Sequence, residues 1–341
     1  MTVEFRRDLN KSFFIDPKKG EKSVTSEVRY DPLTGHISRV FPFRRLNLHR
    51  HDWEPFVEKS RQQFCPFCPE SLDKATPRFT PDFYPQGHVR VGNAVAVPNL
   101  HPYEKYASVV VMCKEHYVPM GDIYTSMIVE SFKAALDYLQ IAQKYDADGA
   151  SYSSLNWNYM PYAGGSLIHP HLQVLAGPKP GTYDQEMYTA ACNYSNQTGS
   201  NYFNQLIEAE QKEGERYLGQ TGNVHWMATY APRHVADVTG IFPGKSSIWD
   251  LNEDDLEQIA QGIVKITHYY DRINMPSFNG ALYFGTQGDK SFSLMIRMVG
   301  RFTIFPLVGS DITHMQVLHD DPWTVMLPEN LAEDVKKDFA G

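Results

Sequence analysis

Two histidines separated by one proline form the segment of this chain that is best suited to chemistry. The segment runs from Gly164 to Gln173 and has the sequence GGSLIHPHLQ, with the histidines at His169 and His171. In an extended segment alternate side chains lie on the same face, so both histidines and Gln173 are expected to share one. Glycine lets a ligand approach the main chain, and imidazoles bind metal ions or attack phosphorus. We therefore expect a functional site here rather than a buried strand with two hydrogen-bonded histidines.

A second candidate for chemistry is a pair of cysteines earlier in the chain. Cys65 and Cys68 are separated by two residues within the sequence CPFCP. Two thiolates at this spacing can hold one metal ion in a tight turn. A redox role would require a strand followed by a helix, which the flanking prolines and polar residues do not predict. Because no second cysteine pair has this spacing, the remaining metal ligands must come from elsewhere, and histidines are the obvious donors.

Length and composition indicate a globular protein with a large core. The chain has 341 residues, of which 42% are hydrophobic and 21% charged, and four cysteines are too few for a disulfide scaffold. The net charge of −8 argues against a general nucleic-acid-binding protein. No apolar run approaches the roughly 20 residues of a membrane span, and the N-terminus lacks a secretory signal. We expect a cytoplasmic protein that binds neither nucleic acid nor membranes.

Hydrophobic periodicity predicts the elements that position the histidine segment. Residues 87–112 have the pattern of β strands, and residues 123–145 that of an amphipathic helix with Asp122 as its N-cap. A strand is predicted over residues 152–158. The histidine segment is expected to pair with this strand as a hairpin.

The same order of elements recurs in the second half of the chain. A strand over residues 224–230 precedes a helix that begins after Asn252, and two closing strands follow over 279–284 and 291–298. This recurrence predicts two tandem repeats in an α+β fold.

The two repeats are expected to consist of antiparallel sheets with flanking helices. We assign them to residues 1–177 and 178–341, with a polar link and a helix near 201–214 at the start of the second. The second repeat has the sequence SLMIR at 293–297 where the first has its histidines, and it therefore lacks the histidine pair. Residues 1–30 are polar and are expected to be poorly ordered except where they dock on the rest of the chain.

The combination of Cys-x-x-Cys, a lone histidine after a β strand and a later His-Pro-His-x-Gln resembles the galactose-1-phosphate uridylyltransferase family of the histidine-triad superfamily. The resemblance covers residues 28–335 in element order and 60–175 in specific motifs. It implies that both repeats are histidine-triad-like. It also implies a structural zinc ion, whose family ligands match Cys65, Cys68, His116 and His169. Four such ligands leave no open position, so the metal would brace the site. Cys113 is close enough to His116 in sequence to be a competing ligand.

The family nucleophile matches His171. Its neutral imidazole is expected to attack the α-phosphorus of a nucleotide and form a nucleotidyl-histidine, from which a second phosphate takes the nucleotide in a ping-pong cycle. The family glutamine matches Gln173, which would donate to a non-bridging oxygen as charge develops.

Five further positions match family residues that contact the substrate. Asn158, Gly164 and Ser166 match phosphate contacts, and Asn99 falls where the family has an asparagine near the nucleoside. Arg44 falls near an arginine that reaches a phosphate across a dimer interface. The resemblance thus implies a homodimer in which each site is completed by the neighbouring subunit.

The chain departs from the family pattern in its second half. The histidines of the family's second metal site are absent, so no second site is expected, and the hexose-binding signature is not recognisable around residues 309–314. Relatives that transfer adenylyl groups from an ADP-sugar, a dinucleoside polyphosphate or adenylylsulfate share the His-x-His-x-Gln core and use phosphate or a similar small anion. Uridylyl and adenylyl transfer therefore both remain open. Arg297 and Arg301 are candidates to receive such an anion, with surface ion pairing as an equal alternative.

Two other functions rank below nucleotidyl transfer. Hydrolases of the superfamily usually have a third histidine at the position of Gln173, which disfavours transfer to water. A zinc-stabilised binding module would need only the metal ligands and would leave His171 and Gln173 without a role.

Overall fold

The computed structural model describes residues 3–304 and 309–340. In chain order, the strands in these ranges are β1 (Arg7–Asp16), β2 (Gly20–Tyr30), β3 (Ile37–Val40), β4 (Val89–Val91), β5 (Ala94–Pro98), β6 (Tyr106–Val111), β7 (Tyr152–Tyr159), β8 (His171–Gly177), β9 (Tyr217–Thr221), β10 (Val224–Ala228), β11 (Val238–Phe242), β12 (Ser277–Tyr283), β13 (Leu294–Arg301) and β14 (Trp323–Thr324). The α-helices are α1 (Glu54–Arg61), α2 (Pro69–Ala75), α3 (Thr125–Tyr145), α4 (Thr182–Thr198), α5 (Tyr202–Glu213), α6 (Glu253–Arg272), α7 (His314–His319) and α8 (Pro328–Phe339).

One ten-stranded antiparallel sheet runs through both halves of the chain. Its order is β4-β5-β6-β8-β7-β12-β13-β11-β10-β9, and β7 pairs with β12 at the centre, with Trp157 opposite Gly280. Outward from this pair, each half of the chain contributes its strands in the same order, and α3 and α6 occupy corresponding places in the chain. The two halves therefore share one strand order, and the division into tandem repeats remains a prediction. The boundary at residue 177 and the histidine-triad-like character of the repeats remain predictions.

Helices cover one face of this sheet toward both of its ends. α3 packs against β4, β5, β6 and β8, whereas α6 and α8 pack against β9 and β10. The helical stripe predicted over 123–145 is buried, with Ile128, Phe132 and Leu139 at most 1% exposed. Burying such a stripe against strands is the main source of stability for an amphipathic helix.

The opposite face of the sheet has a different cover in each half. In the first half, Cys65, Phe67 and Leu72 pack on the outward valines of β5 and β6. In the second half, α4 and α5 pack on residues that include Met227 and Met295. Since side chains alternate along a strand, both covers lie on the face that is turned away from α3 and α6.

The N-terminal region corrects one expectation. Residues 7–30 form the long hairpin β1–β2, which belongs to a second sheet with the order β1-β2-β3-β14. The sheet is joined to the rest of the chain by Arg29, whose fully buried guanidinium donates to both carboxylate oxygens of Glu329 at 2.9 Å. Poor order was predicted because the polar composition does not reveal this ion pair.

Helix caps were predicted with mixed success. Asn252 caps α6, because its side chain accepts from the backbone N–H of Asp255 at 3.0 Å. Asp122 does not cap α3, which begins at Thr125 after a short 3-10 turn that contains Asp122. The helix expected near 201–214 is α5, but α4 was not predicted.

No helix in the described ranges is both long and apolar enough to cross a membrane.

Candidate functional site

Four side chains from separate parts of the chain meet near the ends of β6 and β8. They form the metal-binding group, which consists of Cys65, Cys68, His116 and His169. One ligand atom from each residue lies within 4.8 Å of those of the other three. His169 Nδ1 is 3.8 Å from both sulfur atoms, and His116 Nδ1 is 3.3 Å from Cys68 Sγ. The group can hold a metal ion, and two thiolates with two imidazoles are typical of zinc.

Both imidazoles of the metal-binding group are oriented by a second contact. His169 Nε2 donates to the carbonyl oxygen of Cys113 at 2.9 Å, and His116 Nε2 lies 2.9 Å from Ser60 Oγ. These contacts direct both Nδ1 atoms toward the cysteines, as metal-ligating histidines require. Cys113 is not a competing ligand in this arrangement, because its thiol donates to the carbonyl of Glu115.

Burial adjusts the pKa values of this group in opposite directions. Burial lowers the pKa of His169 to about 4, so the ring is neutral near pH 7 and keeps a lone pair for a metal. Burial and the neighbouring Cys65 raise the pKa of the Cys68 thiol to about 12. A bound divalent cation reverses this effect, because a coordinating thiol loses its proton.

The strand that carries the second histidine begins later than predicted. β8 starts at His171, and residues 164–170 form turns, so His169 does not share a strand face with Gln173 as predicted. Pro170 has no N–H to contribute to a sheet, and the ring of His169 is held by the carbonyl of Cys113. His171 and Gln173 do lie on one face, while Leu172 between them is fully buried on the helix side.

His171 is held in one orientation by the backbone beside it. Its Nδ1 donates to the carbonyl oxygen of His169 at 2.8 Å, which places the proton on Nδ1 and the lone pair on Nε2. Burial lowers the pKa of His171, so the ring is neutral at physiological pH. The ring lies 5.4 Å from that of Phe67, and His171 is not a member of the metal-binding group.

Four of the predicted site residues line one cavity of about 210 Å³, which we call the first-half cavity. They are Asn99, Ser166, His171 and Gln173. Its apolar wall includes Phe67, Val97, Pro98, Leu100, Val109 and Leu167. Two imidazoles line it, that of the buried His171 and that of the exposed His101. An apolar cavity with a few polar groups at its wall is typical of a site for a ring-containing ligand.

A second depression of about 360 Å³ adjoins the first-half cavity and shares Tyr103 and Gln173 with it. Ser154 and Asn156 of β7 line its floor, and Asn156 Nδ2 donates to the backbone oxygen of Gln173 at 3.3 Å. The two depressions together can accommodate a ligand longer than a nucleoside.

Asn158 and Gly164 do not line the first-half cavity. Asn158 Oδ1 accepts from Asn279 Nδ2 at 2.7 Å, and the same Nδ2 donates to the carbonyl of Ala163 at 2.9 Å. Gly164 has a φ of +86°, which favours glycine. These contacts shape the turn that leads to Ser166.

Three predicted anion contacts lie elsewhere. Arg44 is exposed on the loop after β3, with its guanidinium 5.5 Å from the ring of Trp323. Arg297 is buried and makes two hydrogen bonds of 2.6 and 3.0 Å with Asp237, and Arg301 pairs in the same way with Asp311. Arg297 is buried and Arg301 is partly exposed, and neither lines the first-half cavity. Both pair with a buried aspartate, so these ion pairs are internal rather than on the surface.

Sequence reasoning missed several residues at the site. Phe67 stands between the two cysteines, and Tyr103 follows Asn99 closely, so proximity to the motifs is a usable signal for both. Ser60 lies on α1 and has no such signal, because its contact with His116 depends on how the helix packs.

Comparison with known proteins was made by sequence and by structure. No family model matches the sequence. The chain is 30% identical over 335 residues to an uncharacterized protein from Archaeoglobus fulgidus, with 98% of each chain covered. The protein belongs to the family of this archaeal protein.

Solved structures with a similar fold add a second comparison. An ADP-glucose phosphorylase from Arabidopsis thaliana with bound ADP-glucose has a TM-score of 0.70 and 16% identity, with 92% of this chain and 98% of that chain covered. A GalT-like protein from Arabidopsis thaliana has a TM-score of 0.69 at the same identity and coverage. A uridylyltransferase has a TM-score of 0.67 and 17% identity, again with 92% and 98% covered. The fold is GalT-like, which confirms the predicted resemblance and the α+β class with antiparallel sheets and flanking helices.

Proposed function

We propose that this protein transfers a nucleoside monophosphate through a covalent intermediate on His171. The observation that carries the proposal is a neutral imidazole at the wall of the first-half cavity, whose Nδ1–H is bound to a carbonyl and whose Nε2 keeps its lone pair. The likeness of the fold to a uridylyltransferase and to an ADP-glucose phosphorylase supports this reaction class.

The reaction has two displacements at one phosphorus atom. In the first, Nε2 of His171 attacks the α-phosphorus of the nucleotide donor, the P–N bond forms, and the P–O bond to the leaving phosphate breaks. In the second, an oxygen of the acceptor attacks the same phosphorus, and the P–N bond breaks. The bond from Nδ1 to the His169 carbonyl stabilises the positive charge on the ring, and Gln173 donates its amide to a non-bridging oxygen.

The metal-binding group would hold a structural zinc ion. Two thiolates and two imidazoles would fill the four positions of a zinc ion, so a bound ion would supply rigidity and no open position for substrate. His169 would connect the ion to the nucleophile, because its ring belongs to the group and its carbonyl orients His171.

The remaining predicted residues have binding roles in this proposal. Asn99 contacts the nucleoside and Ser166 the phosphate, and Asn158 and Gly164 hold the turn before Ser166. Arg44 would reach the phosphate of the neighbouring site in a homodimer. The two halves, residues 1–177 and 178–341, would be histidine-triad-like repeats of which only the first is catalytic.

Uridylyl transfer to a hexose phosphate and adenylyl transfer to a small anion are two versions of this chemistry. The likeness of the fold to the ADP-glucose phosphorylase, at a TM-score of 0.70, supports adenylyl transfer as the alternative to uridylyl transfer. In either version the donor is a nucleotide or nucleotide sugar, and the acceptor carries a phosphate or is itself a small anion.

Covalent labelling tests the proposal directly. The protein is incubated separately with UDP-glucose, ADP-glucose, ADP and adenylylsulfate, each labelled at the α-phosphorus. We expect protein-bound label that is labile in acid and stable in alkali. The donor that gives this label shows whether the transferred nucleotide carries uracil or adenine. If none of these donors labels the wild-type protein, the proposed mechanism is wrong.

A further inference from the structure

One row of side chains crosses three neighbouring strands of the large sheet at the nucleophile. Trp157 of β7 lies opposite Leu172 of β8, so the next residues along the two strands are Asn158 and His171. On its other side, Asn158 lies opposite Asn279 of β12. Because side chains alternate along a strand, Asn158 and His171 share the face opposite to that of Trp157 and Leu172. Facing residues of an antiparallel pair have Cα atoms roughly 4.5–5.5 Å apart, so the Asn158 amide is within reach of a phosphate bonded to His171.

Two contacts set the orientation of the Asn279 amide. Its Oδ1 accepts from Arg301 Nη1 at 2.8 Å, and a guanidinium can only donate. Its Nδ2 donates to the carbonyl oxygen of Ala163 at 2.9 Å, and a carbonyl can only accept. Both contacts would be lost if the oxygen and nitrogen exchanged places, so only one orientation of this amide satisfies its partners.

The fixed amide of Asn279 in turn fixes that of Asn158. Asn279 Nδ2 also donates to Asn158 Oδ1 at 2.7 Å, so the Asn158 amide must turn its oxygen toward β12 and its nitrogen away from β12. Within residues 3–304 and 309–340, Asn158 Nδ2 makes no hydrogen bond. Its N–H donors are therefore left for a ligand, and an amide donor next to a nucleophilic imidazole suits a phosphate oxygen.

Arg301 is itself held in place by a carboxylate. It is the last residue of β13, and its Nε and Nη2 donate to the two carboxylate oxygens of Asp311 at 2.7 and 2.8 Å. Although burial acts to raise the pKa of Asp311, the bonds from Arg301 hold this pKa below its ordinary value, so the carboxylate is ionised at neutral pH. All three nitrogen atoms of the guanidinium have partners, which suits Arg301 to orienting a side chain rather than to receiving an anion.

We propose that Arg301 and Asn279, in the second half of the chain, are positioning residues for the reaction in the first half. They orient Asn158 so that its Nδ2 donates to a non-bridging oxygen of the phosphate beside His171. We call this set the amide relay, and it consists of Asp311, Arg301, Asn279 and Asn158. The inference rests on the proposed function, and it gives residues 178–341, which lack the histidine pair, a part in the reaction.

Asn279→Asp reverses one step of the amide relay and leaves the other intact. The new carboxylate still accepts from Arg301 but cannot donate, so Asn158 turns its nitrogen toward β12 and its oxygen toward the phosphate. We expect the rate of covalent labelling at saturating donor to fall about 100-fold, with the Kd of the donor changed less than about threefold. Asn158→Ala should slow labelling by a similar factor, because it removes the same donor.

The double variant separates the orientation of Asn158 from other effects of Asn279→Asp. This substitution also adds a negative charge near the phosphate and removes the bond to Ala163. Both of these effects persist without the Asn158 side chain, whereas orientation acts only through it. In the Asn158→Ala background, Asn279→Asp should therefore slow labelling by less than about threefold.

Ser277→Ala is the matched control on β12. Ser277 donates to the carbonyl of Tyr159, beside Asn158, but makes no bond to the Asn158 side chain within the described part of the chain. Its removal loosens the same turn without turning the amide, so labelling should stay within about threefold of the wild type.

Nuclear magnetic resonance decides the inference even if the protein transfers no nucleotide. ADP and UDP are titrated into ¹⁵N-labelled wild type and Asn279→Asp, and the side-chain N–H signals of Asn158 are assigned by their loss in Asn158→Ala. We expect at least one nucleotide to shift these signals downfield in the wild type, and a much smaller shift in Asn279→Asp. A wild type that shows this shift but takes no label from any donor contradicts the proposed transfer and supports the amide relay.

The inference is overturned if neither ADP nor UDP shifts the Asn158 signals of the wild type. It is also overturned if Asn279→Asp is labelled at the wild-type rate, or if it slows labelling equally in the Asn158→Ala background. If Asn279→Asp does not fold, Asn279→Ala takes its place in the same cycle, because it too removes the donor to Asn158. It should slow labelling about tenfold alone and less than about threefold in the Asn158→Ala background.

Discussion

The two halves of the large sheet share a corresponding backbone hydrogen bond, but different segments of the chain pack on each half. In the first half, the N–H of Asn99 donates to the carbonyl of Ala107 at 3.0 Å, and in the second half the N–H of Thr229 donates to that of Asp237, also at 3.0 Å. Asn99 lines the first-half cavity, and Thr229 lines a smaller cavity of about 50 Å³ beside α4 and α5. The backbone therefore does not explain why only one end has groups suited to phosphoryl chemistry.

Side chains at matching positions account for the difference. The face of β8 presents His171 and Gln173, and the ring of His171 keeps an unused lone pair. The face of β13 presents Met295 and Arg297, and this arginine is bound on both sides of its guanidinium. The fold supplies positions, and the residues placed there determine whether a position is reactive or structural.

The covers differ in the way they gain stability. α4 and α5 bury a sizeable apolar cluster against the second half of the sheet. The segment with Cys65, Phe67 and Leu72 is shorter and buries less apolar surface. A bound metal ion would compensate for a small apolar contact, because its binding free energy would contribute to folding. In the proposed function, the metal-binding group would thus hold a short cover in place without closing the cavity.

Removal of the nucleophile is expected to have the largest effect. His171→Ala should reduce covalent nucleotidyl labelling by more than about a thousandfold, because it removes the imidazole whose Nδ1–H is held by the carbonyl of His169, whereas the other histidine that lines the cavity, His101, is exposed on the loop after β5. Labelling and the rate of transfer are measured with the donor identified above. His225→Ala in the second half is the control, since His225 bonds to Tyr217 and Gln220 far from the site along the sheet. Undiminished label on His171→Ala would falsify the assignment of the nucleophile.

Removal of the metal should affect the first half selectively. Cys65→Ser is expected to lose the bound metal and to lower Tm by roughly 10 °C, because the short cover loses its brace. Metal content is measured by mass spectrometry and Tm by calorimetry. Cys192→Ser on α4 should change neither quantity, since this thiol is exposed and lies outside the metal-binding group. A wild-type protein without metal, or a Cys65→Ser variant with unchanged Tm, would contradict the role of the ion.

Alanine at the two corresponding strand positions should have opposite consequences. Arg297→Ala leaves the carboxylate of Asp237 buried without its partner, and we expect a loss of about 3–5 kcal/mol in the free energy of unfolding. Gln173→Ala should cost less than about 1 kcal/mol, because Gln173 is only partly buried, yet slow nucleotidyl transfer about 100-fold. Urea unfolding and transfer assays on both variants test this contrast. Equal losses of stability in the two variants would mean that Gln173 has a structural role like that of Arg297, and would contradict this contrast.

The smallest expected effect is a pH dependence that arises in the second half. Burial raises the pKa of Glu210 to about 7 from an ordinary value of 4.5, although Arg216 opposes the shift. The folded protein binds this proton more tightly than the unfolded chain does. Protonation of Glu210 therefore stabilises the fold fully below about pH 4.5, and this stabilisation is lost as the pH rises through about 7. Between pH 4.5 and 8, the free energy of unfolding measured with urea should fall by about 1–3 kcal/mol less in Glu210→Gln than in the wild type. Glu213→Gln should keep the wild-type slope, and an identical slope in both variants would assign the titration to another group.

Local sequence signals were sufficient for much of the fold. The apolar spacing predicted α3 and α6, and Asn252 predicted the start of α6, because helix periodicity and capping depend on residues within a few positions of each other. The hairpin of residues 7–30 and helix α4 were not predicted, since their stability comes from contacts with distant parts of the chain.

By itself, the sequence determined which residues have the right chemistry. Cysteines two residues apart, two histidines around a proline and a following glutamine restrict the reactions that this chain can support, because donor type and nucleophilicity are properties of single side chains. The sequence also shows that residues 178–341 contain no such histidine pair.

Only the tertiary structure decided how these groups are used. It places His169 with the metal-binding group and His171 at a cavity wall, although the two are separated by one residue. It also pairs Arg297 with Asp237, which removes that arginine from any role in receiving an anion. Distances, burial and hydrogen-bond partners depend on segments far apart in the chain, and no spacing within one segment can specify them.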